Sequence, residues 1–217
     1  MSNLNGIKNI IFDLGGVILD VDFTITQREF VKLGLKNIDQ TFGQYHQIGF
    51  FDLFDRGEID EKEFLNKASE LFPASVTQQQ IIDAWNAMLF DLPRHRFELL
   101  KELGKKYRLF LMSNTNIIHY KEYQEIIRKT YGISGLDALF EKAYYSFLVG
   151  MRKPEDRFFN LILNENGLHA NETLFIDDTS INTDAAERLN IRSWYLKPGT
   201  DIISLQYNLP EKMSKPD

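Results

Sequence analysis

A short apolar run near the start of the chain, residues 10–12, ends in the acid Asp13, and Gly15 and Gly16 follow it. An apolar run without polar alternation is typical of a strand buried on both faces, as in a parallel sheet between helices. Asp13 would then lie at the carboxyl end of this strand, the edge at which open α/β sheets bind ligands. The glycines allow a tight turn and a close approach to a small charged group. A strand followed by an ordinary glycine turn fits the same residues.

From residue 94 onward, the hydrophobic pattern alternates between the periods of a helix and of a strand. Such alternation predicts a parallel sheet whose strands are joined by right-handed helical crossovers. Together with a first, central strand over residues 7–12, it predicts an α/β core in which a Rossmann-like parallel sheet is flanked by helices. The predicted helices cover residues 94–105, 117–131, 155–166 and 181–189, and the predicted strands cover residues 107–112, 142–147, 173–176 and 192–196.

Residues 24–92 separate the first strand from the alternating part of the chain and differ from it in character. They contain few β-branched runs, and their many aromatic residues are more typical of the core of a small helical bundle than of a substrate pocket. We therefore predict a core domain, residues 1–20 and 93–217, with a helical bundle inserted over residues 21–92. Two helix starts are marked by an N-cap residue and a polar residue three positions later, namely Asp60 with Glu63 and Thr77 with Gln80.

The composition excludes several classes of protein. The 217 residues include no Cys, which excludes a disulfide scaffold, a thiolate nucleophile and a zinc site built on Cys. The net charge of −6 disfavours nucleic acid as a partner, because phosphate backbones are bound mainly by Lys and Arg. No apolar run approaches the roughly 20 residues of a membrane helix, and the first residues lack the pattern of a signal peptide. We therefore expect a cytoplasmic protein without a nucleic-acid or membrane partner.

Three later segments also place reactive groups after an apolar run. These groups are Ser113-Asn114-Thr115 after residues 109–112, Lys153 after residues 144–149, and the acids Asp177 and Asp178 after residues 174–176. Acid, hydroxyl, lysine and paired acid, in this order and each near a strand end, resemble the four motifs of the haloacid dehalogenase (HAD) superfamily. The motifs run from Asp13 to Asp178, so the resemblance covers most of the chain. In a subset of this family, an insertion after the first strand forms a helical cap over the strand ends.

A carboxylate at a strand tip can attack phosphorus and form an acyl phosphate, which divides a difficult hydrolysis into two steps. The resemblance implies that Asp13 is this nucleophile. Two anions meet in such an attack, so the site needs positive charge, and Mg²⁺ suits it because it takes hard oxygen ligands. We predict that Mg²⁺ is bound by Asp13, the Gly15 carbonyl and the pair Asp177 and Asp178. The acid pair also fits a helix N-terminus, where negative charge is favoured.

The groups after the second predicted strand are candidates for substrate binding. Ser113 and the backbone amides of Asn114 and Thr115 lie where a strand meets the start of a helix, and the N–H groups at such a place bind phosphate oxygens. Gly16 would bring the backbone close to the substrate. On its own, Ser-Asn-Thr fits a plain helix cap equally well.

Lys153 is the predicted cation of the site and is expected to contact the substrate. It would offset the negative charge of Asp13 and of the transferring phosphoryl group, an electrostatic role that lowers the barrier. A lone Lys before Pro is otherwise typical of a solvated turn. Asn182, which follows the acid pair, could orient the acidic loop by hydrogen bonding.

The sequence departs from the family pattern at one position. Phosphatases of the family usually carry a second Asp two positions after the nucleophile, which protonates the leaving group and then activates water. Gly15 stands there in this chain. The bacterial alpha-glucose-1-phosphatase branch, which residues 13–23, 56–59 and 151–154 resemble, also has glycine at that position. The candidates to replace the acid are Asp20, Asp22, His46 and Glu58.

These features predict a magnesium-dependent phosphatase that hydrolyses a small phosphate monoester, with a sugar phosphate as the expected substrate, through an aspartyl-phosphate intermediate. Two alternatives stay open on the sequence alone. One is a non-catalytic HAD protein that binds a phosphate ligand, and the other is a 2-haloacid dehalogenase, in which the Asp attacks carbon. Dehalogenation needs no metal, and the paired acids would repel its carboxylate substrate, so they favour the phosphatase.

Overall fold

Five parallel strands form one sheet in the computed structural model, which describes residues 4–36 and 49–208. The strands are β1 (Asn9–Phe12), β2 (Arg108–Ser113), β3 (Lys142–Tyr145), β4 (Thr173–Asp177) and β5 (Arg192–Tyr195). Their order across the sheet is β3-β2-β1-β4-β5, and every neighbouring pair is parallel. The predicted parallel α/β core and the central position of its first strand are therefore confirmed.

The helices of the described residues fall into an inserted group and a core group. The inserted group comprises α1 (Phe23–Lys32), α2 (Phe50–Asp55), α3 (Glu61–Ser69) and α4 (Gln78–Asn86). The core group comprises α5 (Arg94–Leu103), α6 (Ile117–Tyr131), α7 (Ser146–Val149), α8 (Asp156–Asn166) and α9 (Ser180–Arg188). Short 3₁₀ helices cover Leu136–Leu139, Ala170–Glu172 and Ile202–Asn208. None of the helices in these described ranges is long and apolar enough to cross a membrane.

Side chains of β1 alternate between two hydrophobic clusters, one on each face of the sheet. Ile10 and Phe12 pack with residues of α5 and α6 on one face, and Ile11 packs with residues of α8 and α9 on the other. A strand covered on both faces has no solvent side and therefore needs no polar alternation. The apolar run that precedes Asp13 is explained by this double burial.

The described part of the insertion is helical, and aromatic side chains form its core. The Trp85 ring of α4 lies 5.8 Å from Phe30 of α1, 5.2 Å from Phe51 of α2 and 5.5 Å from Phe64 of α3, measured between ring centroids. All four side chains are buried. These rings therefore join four helices into a bundle and do not form a substrate box.

Both predicted helix starts in the insertion are confirmed. The Asp60 carboxylate accepts the Glu63 backbone N–H at 2.8 Å at the start of α3. Thr77 and Gln80 form a reciprocal capping box at the start of α4. These contacts satisfy N–H groups that the first turn of a helix otherwise leaves unpaired.

The chain passes twice between the core and the insertion, and the two passages are hydrogen-bonded to each other. The Asp22 N–H donates to the Met88 carbonyl at 3.0 Å, and the Phe90 N–H donates to the Asp20 carbonyl at 3.1 Å. The domain boundaries that we predict, between residues 20 and 21 and between residues 92 and 93, lie beside this paired neck and stay predictions.

Two strands run one residue further than the sequence pattern predicts. Ser113 pairs with Tyr145 at the end of β2, and Asp177 pairs with Tyr195 at the end of β4. The ladder continues past the last apolar residue because backbone pairing does not depend on side-chain polarity. Ser113 and Asp177 are thus held by the sheet itself.

Candidate active site

The groups of all four sequence motifs meet at one edge of the sheet. Asp13 directly follows β1, Ser113 ends β2 and Asp177 ends β4. Since β1 lies between β2 and β4, the three strand ends are neighbours. Lys153 comes from the loop between α7 and α8. A single cavity is lined by Asp13, Ser113, Lys153 and Asp178.

The Lys153 ammonium lies between two carboxylates. Its Nζ atom is 2.5 Å from Asp13 Oδ1 and 2.7 Å from Asp177 Oδ2, and the residue is only 3% exposed. Burial opposes the charged form of Lys153, but the attraction of the two carboxylates outweighs it and raises the pKa of the amine. Lys153 is therefore a fixed buried cation and not a solvated turn residue.

The Asn114 side chain holds the backbone of Lys153. Its Nδ2 donates to the Lys153 carbonyl at 3.0 Å, and its Oδ1 accepts the Lys153 N–H at 2.8 Å. These two bonds tie the loop after β2 to the loop that carries the lysine. The substrate contact predicted for the Asn114 backbone amide concerns a different atom and stays a prediction.

The segment after Ser113 is a short loop, and α6 begins only at Ile117 with Asn116 as its N-cap. Thr115 lines the cavity, but its backbone N–H donates to Ser146 Oγ at 2.9 Å, and that hydroxyl donates back to the Thr115 carbonyl at 2.9 Å. In this structure the Thr115 amide therefore has a protein partner. The substrate contact predicted for Thr115 would require its amide to exchange this partner, and it stays a prediction together with those of Ser113 and Asn114.

Asp177 is fully buried and surrounded by donors. Besides the bond from Lys153, its carboxylate accepts the Thr179 backbone N–H at 2.8 Å and the Asn182 side chain at 3.0 and 3.1 Å. Asn182 therefore orients the acidic loop, as its place after the acid pair suggested. These bonds fix the position of the Asp177 carboxylate relative to Lys153.

Asp178 faces the turn after β1 and lines the cavity. A Cβ atom on Gly16 would lie 2.3 Å from Asp178 Oδ2, and Gly16 has φ +75°. Glycine is thus required there for the carboxylate to approach the turn. Gly15 lies on the cavity wall. The substrate contact of Gly16 and the metal contact of the Gly15 carbonyl stay predictions.

The three acids form a group with the chemistry of a magnesium site. Ligand oxygens of Asp13, Asp177 and Asp178 lie within 4.8 Å of one another. Three carboxylates and one ammonium leave a formal charge of −2 in this largely buried group. A divalent cation that takes oxygen ligands would balance that charge. Asp13 and Asp178 line the cavity and would hold the ion directly, whereas the Asp177 oxygens already accept bonds from protein donors.

The pKa values of Asp13 and Asp178 reflect this excess of negative charge. Burial raises the pKa of Asp13, Lys153 opposes the rise, and Asp177 and Asp178 reinforce it. Burial and the charge of Asp177 also raise the pKa of Asp178. A cation bound beside Asp13 and Asp178 would lower the pKa of both, because positive charge favours the carboxylate form.

The described candidates for the missing acid do not line the cavity. Asp20 forms an ion pair with Arg96 at 2.8 Å. Asp22 caps α1, and Glu58 is exposed on the insertion. His46 lies outside the described residues. Of the four candidates, the three that the structure describes are therefore occupied or placed elsewhere.

Sequence reasoning missed a polar part of the cavity wall, which includes Asp55, Asn116 and His119. Asp55 Oδ1 accepts a hydrogen bond from Asn116 Nδ2 at 3.0 Å. The helical spacing of the sequence could have indicated Asp55, because this residue lies four positions after Phe51 and therefore on the buried face of α2. An acid on such a face is seldom buried without a partner or a function.

Comparison with known proteins extends these observations. A family model described as haloacid dehalogenase-like hydrolase matches residues 7–190. A D-ribitol-5-phosphate phosphatase of Bacteroides thetaiotaomicron is 29% identical over 197 residues, which cover 90% of this chain and 94% of that protein. A sesquiterpene phosphatase of Aspergillus oryzae is 26% identical over 192 residues, which cover 87% of this chain and 89% of that protein.

Solved structures share the fold over nearly the whole chain. A HAD family enzyme of Bacteroides thetaiotaomicron in complex with magnesium and inorganic phosphate is 35% identical, with a TM-score of 0.82 and coverage of 92% of this chain and 98% of that one. A HAD-like family hydrolase of Porphyromonas gingivalis is 32% identical, with a TM-score of 0.84 and coverage of 95% and 99%. The motifs, the fold and the family match together show that the chain belongs to the haloacid dehalogenase-like hydrolase family.

Proposed function

We infer that the protein is a magnesium-dependent phosphatase that hydrolyses a small phosphate monoester. The observation that carries this function is the contact of Lys153 Nζ with both Asp13 and Asp177, beside the third acid, Asp178. This arrangement supports the proposal, because a carboxylate that can act as a nucleophile lines the cavity and the negative charge around it suits a divalent cation. Two relatives are named as phosphatases, and a similar enzyme holds magnesium and phosphate.

Asp13 is the proposed nucleophile. One of its carboxylate oxygens forms a bond to phosphorus while the bond from phosphorus to the leaving alcohol oxygen breaks. Lys153 offsets the charge of Asp13, and the Ser113 hydroxyl donates to a phosphoryl oxygen. Asp13, Asp178 and the Gly15 carbonyl would hold Mg²⁺, and the bound ion would supply further positive charge near the phosphoryl group. Water then hydrolyses the aspartyl phosphate, which releases inorganic phosphate and restores the carboxylate.

A sugar phosphate or polyol phosphate is the proposed substrate class. The relative that is named for D-ribitol 5-phosphate covers nearly the full length of this chain. Beyond Asp13 and Lys153, the cavity has a mixed wall, with polar groups such as Asn116 and apolar groups such as Phe23 and Met88. A wall of this kind accommodates a small organic group that carries hydroxyls.

The dehalogenase alternative has less support. Two solved dehalogenases match with 17% identity and TM-scores of 0.57 and 0.55, a likeness that extends to the fold alone. The carboxylate of a haloacid would also enter a site that already contains Asp13, Asp177 and Asp178. The buried contact between Lys153 and Asp13 likewise disfavours a non-catalytic protein, because an unused buried ion pair contributes little net stability.

A phosphate-release assay over sugar phosphates, polyol phosphates and aryl phosphates, with and without Mg²⁺, tests the function. The wild-type protein is expected to release phosphate only with Mg²⁺. Asp13→Asn keeps the shape of the side chain but not the nucleophile, so we expect a loss of at least about 10³-fold in kcat. Asp60→Asn, the same substitution at an exposed helix cap, is the control. Activity of Asp13→Asn close to that of the wild type would contradict the assignment.

A further inference from the structure

In the described part of the insertion, the face that it presents to the cavity is apolar except at one residue. Among the described residues, Val21, Phe23, Met88 and Leu89 form this face together with Asp55. Asp55 is the only charged residue that the described insertion contributes to the cavity wall. It is 4% exposed, and placing a carboxylate in such a position is costly unless hydrogen bonds compensate it.

Asp55 is held rigidly in this wall. It is the last residue of α2, and its Oδ1 accepts a hydrogen bond from Asn116 Nδ2 at 3.0 Å. Asn116 is fixed in turn, because its own side-chain oxygen accepts the His119 backbone N–H at 3.1 Å at the start of α6. The carboxylate therefore connects the insertion to the core at a defined position beside the cavity.

The chemistry of this wall distinguishes it from the phosphate end of the cavity. A carboxylate accepts hydrogen bonds at about four positions, so Asp55 can accept a bond from a ligand in addition to bonds from protein partners such as Asn116. The His119 ring on the same wall is neutral, since burial lowers its pKa to about 3. A negative group on this wall repels a second anion on the ligand and attracts hydroxyl donors.

We propose that Asp55 binds hydroxyl groups in the alcohol part of the substrate and so selects polyhydroxy phosphate monoesters over alkyl phosphates of the same length. This proposal rests on the proposed phosphatase function, and it assigns Asp55 a specificity role, not a role in bond breaking. The same charge disfavours phosphate esters that carry a carboxylate or a second phosphate. Asp55 therefore determines which alcohol is accepted.

The test compares two esters of primary alcohols with the same chain length, ribitol 5-phosphate and n-pentyl phosphate, and measures the effect of Asp55→Asn on each ester relative to the wild type. The amide oxygen can still accept the bond from Asn116, so the fold is expected to persist. We expect kcat/KM for ribitol 5-phosphate to fall about 10- to 100-fold, which corresponds to the loss of one hydrogen bond to a charged group. The value for n-pentyl phosphate should stay unchanged. Asp60→Asn, on an exposed part of the insertion, is the matched control and should change neither.

Three outcomes would overturn the proposal. An equal loss on both esters would make Asp55 a proton donor or a structural residue, and no loss on either would exclude a substrate contact. A wild-type enzyme that shows no preference for the polyol ester over the pentyl ester would exclude hydroxyl selection, even if Asp55→Asn fails to fold. A separate assay with p-nitrophenyl phosphate tests the phosphatase function itself. That function is wrong if the wild type does not hydrolyse this ester, or if Asp13→Asn hydrolyses it as well as the wild type does.

Discussion

At the scale of single residues, the turn after β1 contains two glycines, Gly15 and Gly16, that differ in the space around their Cβ positions. A Cβ on Gly16 would overlap the Asp178 carboxylate, at 2.3 Å from Oδ2. A Cβ on Gly15 would meet the Val21 side chain at 3.5 and 3.6 Å, an ordinary van der Waals distance. Packing around the Cβ position therefore does not require glycine at position 15, in contrast to position 16.

The lack of a side chain at Gly15 predicts a steep dependence of rate on the leaving group. Aryl phosphates and sugar 1-phosphates should be cleaved much faster than glycerol phosphate, because poor leaving groups depend most on protonation. Gly15→Asp should raise kcat/KM for alkyl phosphates by up to about 10²-fold, the lower end of the contribution of a general acid. It should change aryl phosphates little. Steady-state kinetics over a series of leaving groups measure both effects.

Gly15→Asn is the matched control for this prediction, since its amide has the size of the Asp side chain but no proton to transfer as an acid. The prediction fails if the two substitutions act alike. It also fails if wild-type rates are flat across the series, a result that would direct the search for an acid to the described cavity wall and to His46.

At the scale of secondary-structure elements, α2 is joined to the loop that carries Lys153. Asp52 of α2 pairs with Arg152, and Arg56, directly after α2, pairs with Glu155 at 2.6 Å. Arg152 and Glu155 stand on either side of the lysine in the sequence. The position of the insertion and the position of Lys153, the proposed catalytic cation, therefore depend on the same four charges.

Arg56→Met keeps the apolar stem of the side chain and removes its two ion pairs. We expect the free energy of unfolding to fall by about 1 kcal/mol, because the partners are only partly buried. Urea denaturation measures this change. Arg28→Met, at an exposed Arg of α1 whose ion pair with Asp22 spans 3.9 Å, is the control and should have a smaller effect.

A double-mutant cycle with Glu155→Gln tests whether the contact itself is responsible. Residues in direct contact should show a coupling energy of roughly 0.5 kcal/mol or more. Additive effects of Arg56→Met and Glu155→Gln would show that Arg56 acts through its other contacts, and the connection between the insertion and the lysine loop would then be wrong.

Most elements of the core were predictable because their signals are local, although the strand predicted over residues 142–147 ends at Tyr145 and α7 (Ser146–Val149) follows it at once. α6 has the bounds that the sequence predicts, since Asn116 caps its start and Gly132, with φ +67°, ends it. The contact between Asp52 and Arg152 was not predictable. The spacing of hydrophobic residues shows which face of a helix or strand is buried, but it does not show which distant residue packs against that element. Asp55 was missed for the same reason, although its place on the buried face of α2 was visible in the sequence.

At the scale of the whole molecule, the sheet order creates the site. Asp13, Ser113 and Asp177 come from three strands that adjoin only because β1 lies between β2 and β4. The order of motifs in the chain predicted this convergence through the family resemblance and the rule that parallel strands present their carboxyl ends at one edge. The sequence did not predict that the Thr115 amide binds Ser146, since that bond links two loops of the folded core.

The acid group also connects metal binding to the stability of the whole protein. A ligand that binds only the folded state at about 100 times its Kd adds roughly 2.7 kcal/mol of stability, so Mg²⁺ should raise the Tm by roughly 5–10 °C in a chain of this size. A chelator should reverse the shift. Thermal unfolding with and without Mg²⁺ measures it.

Asp178→Asn separates the metal effect from the rest of the fold. Burial and the charge of Asp177 raise the pKa of Asp178, which means that its ionised form is disfavoured in the folded protein without metal. We therefore expect Asp178→Asn to be at least as stable as the wild type in a chelator and to lose most of the Mg²⁺ shift, because a neutral amide is a weaker ligand for a hard cation. Asp60→Asn should keep the full shift. A full Mg²⁺ shift in Asp178→Asn would remove this carboxylate from the metal site.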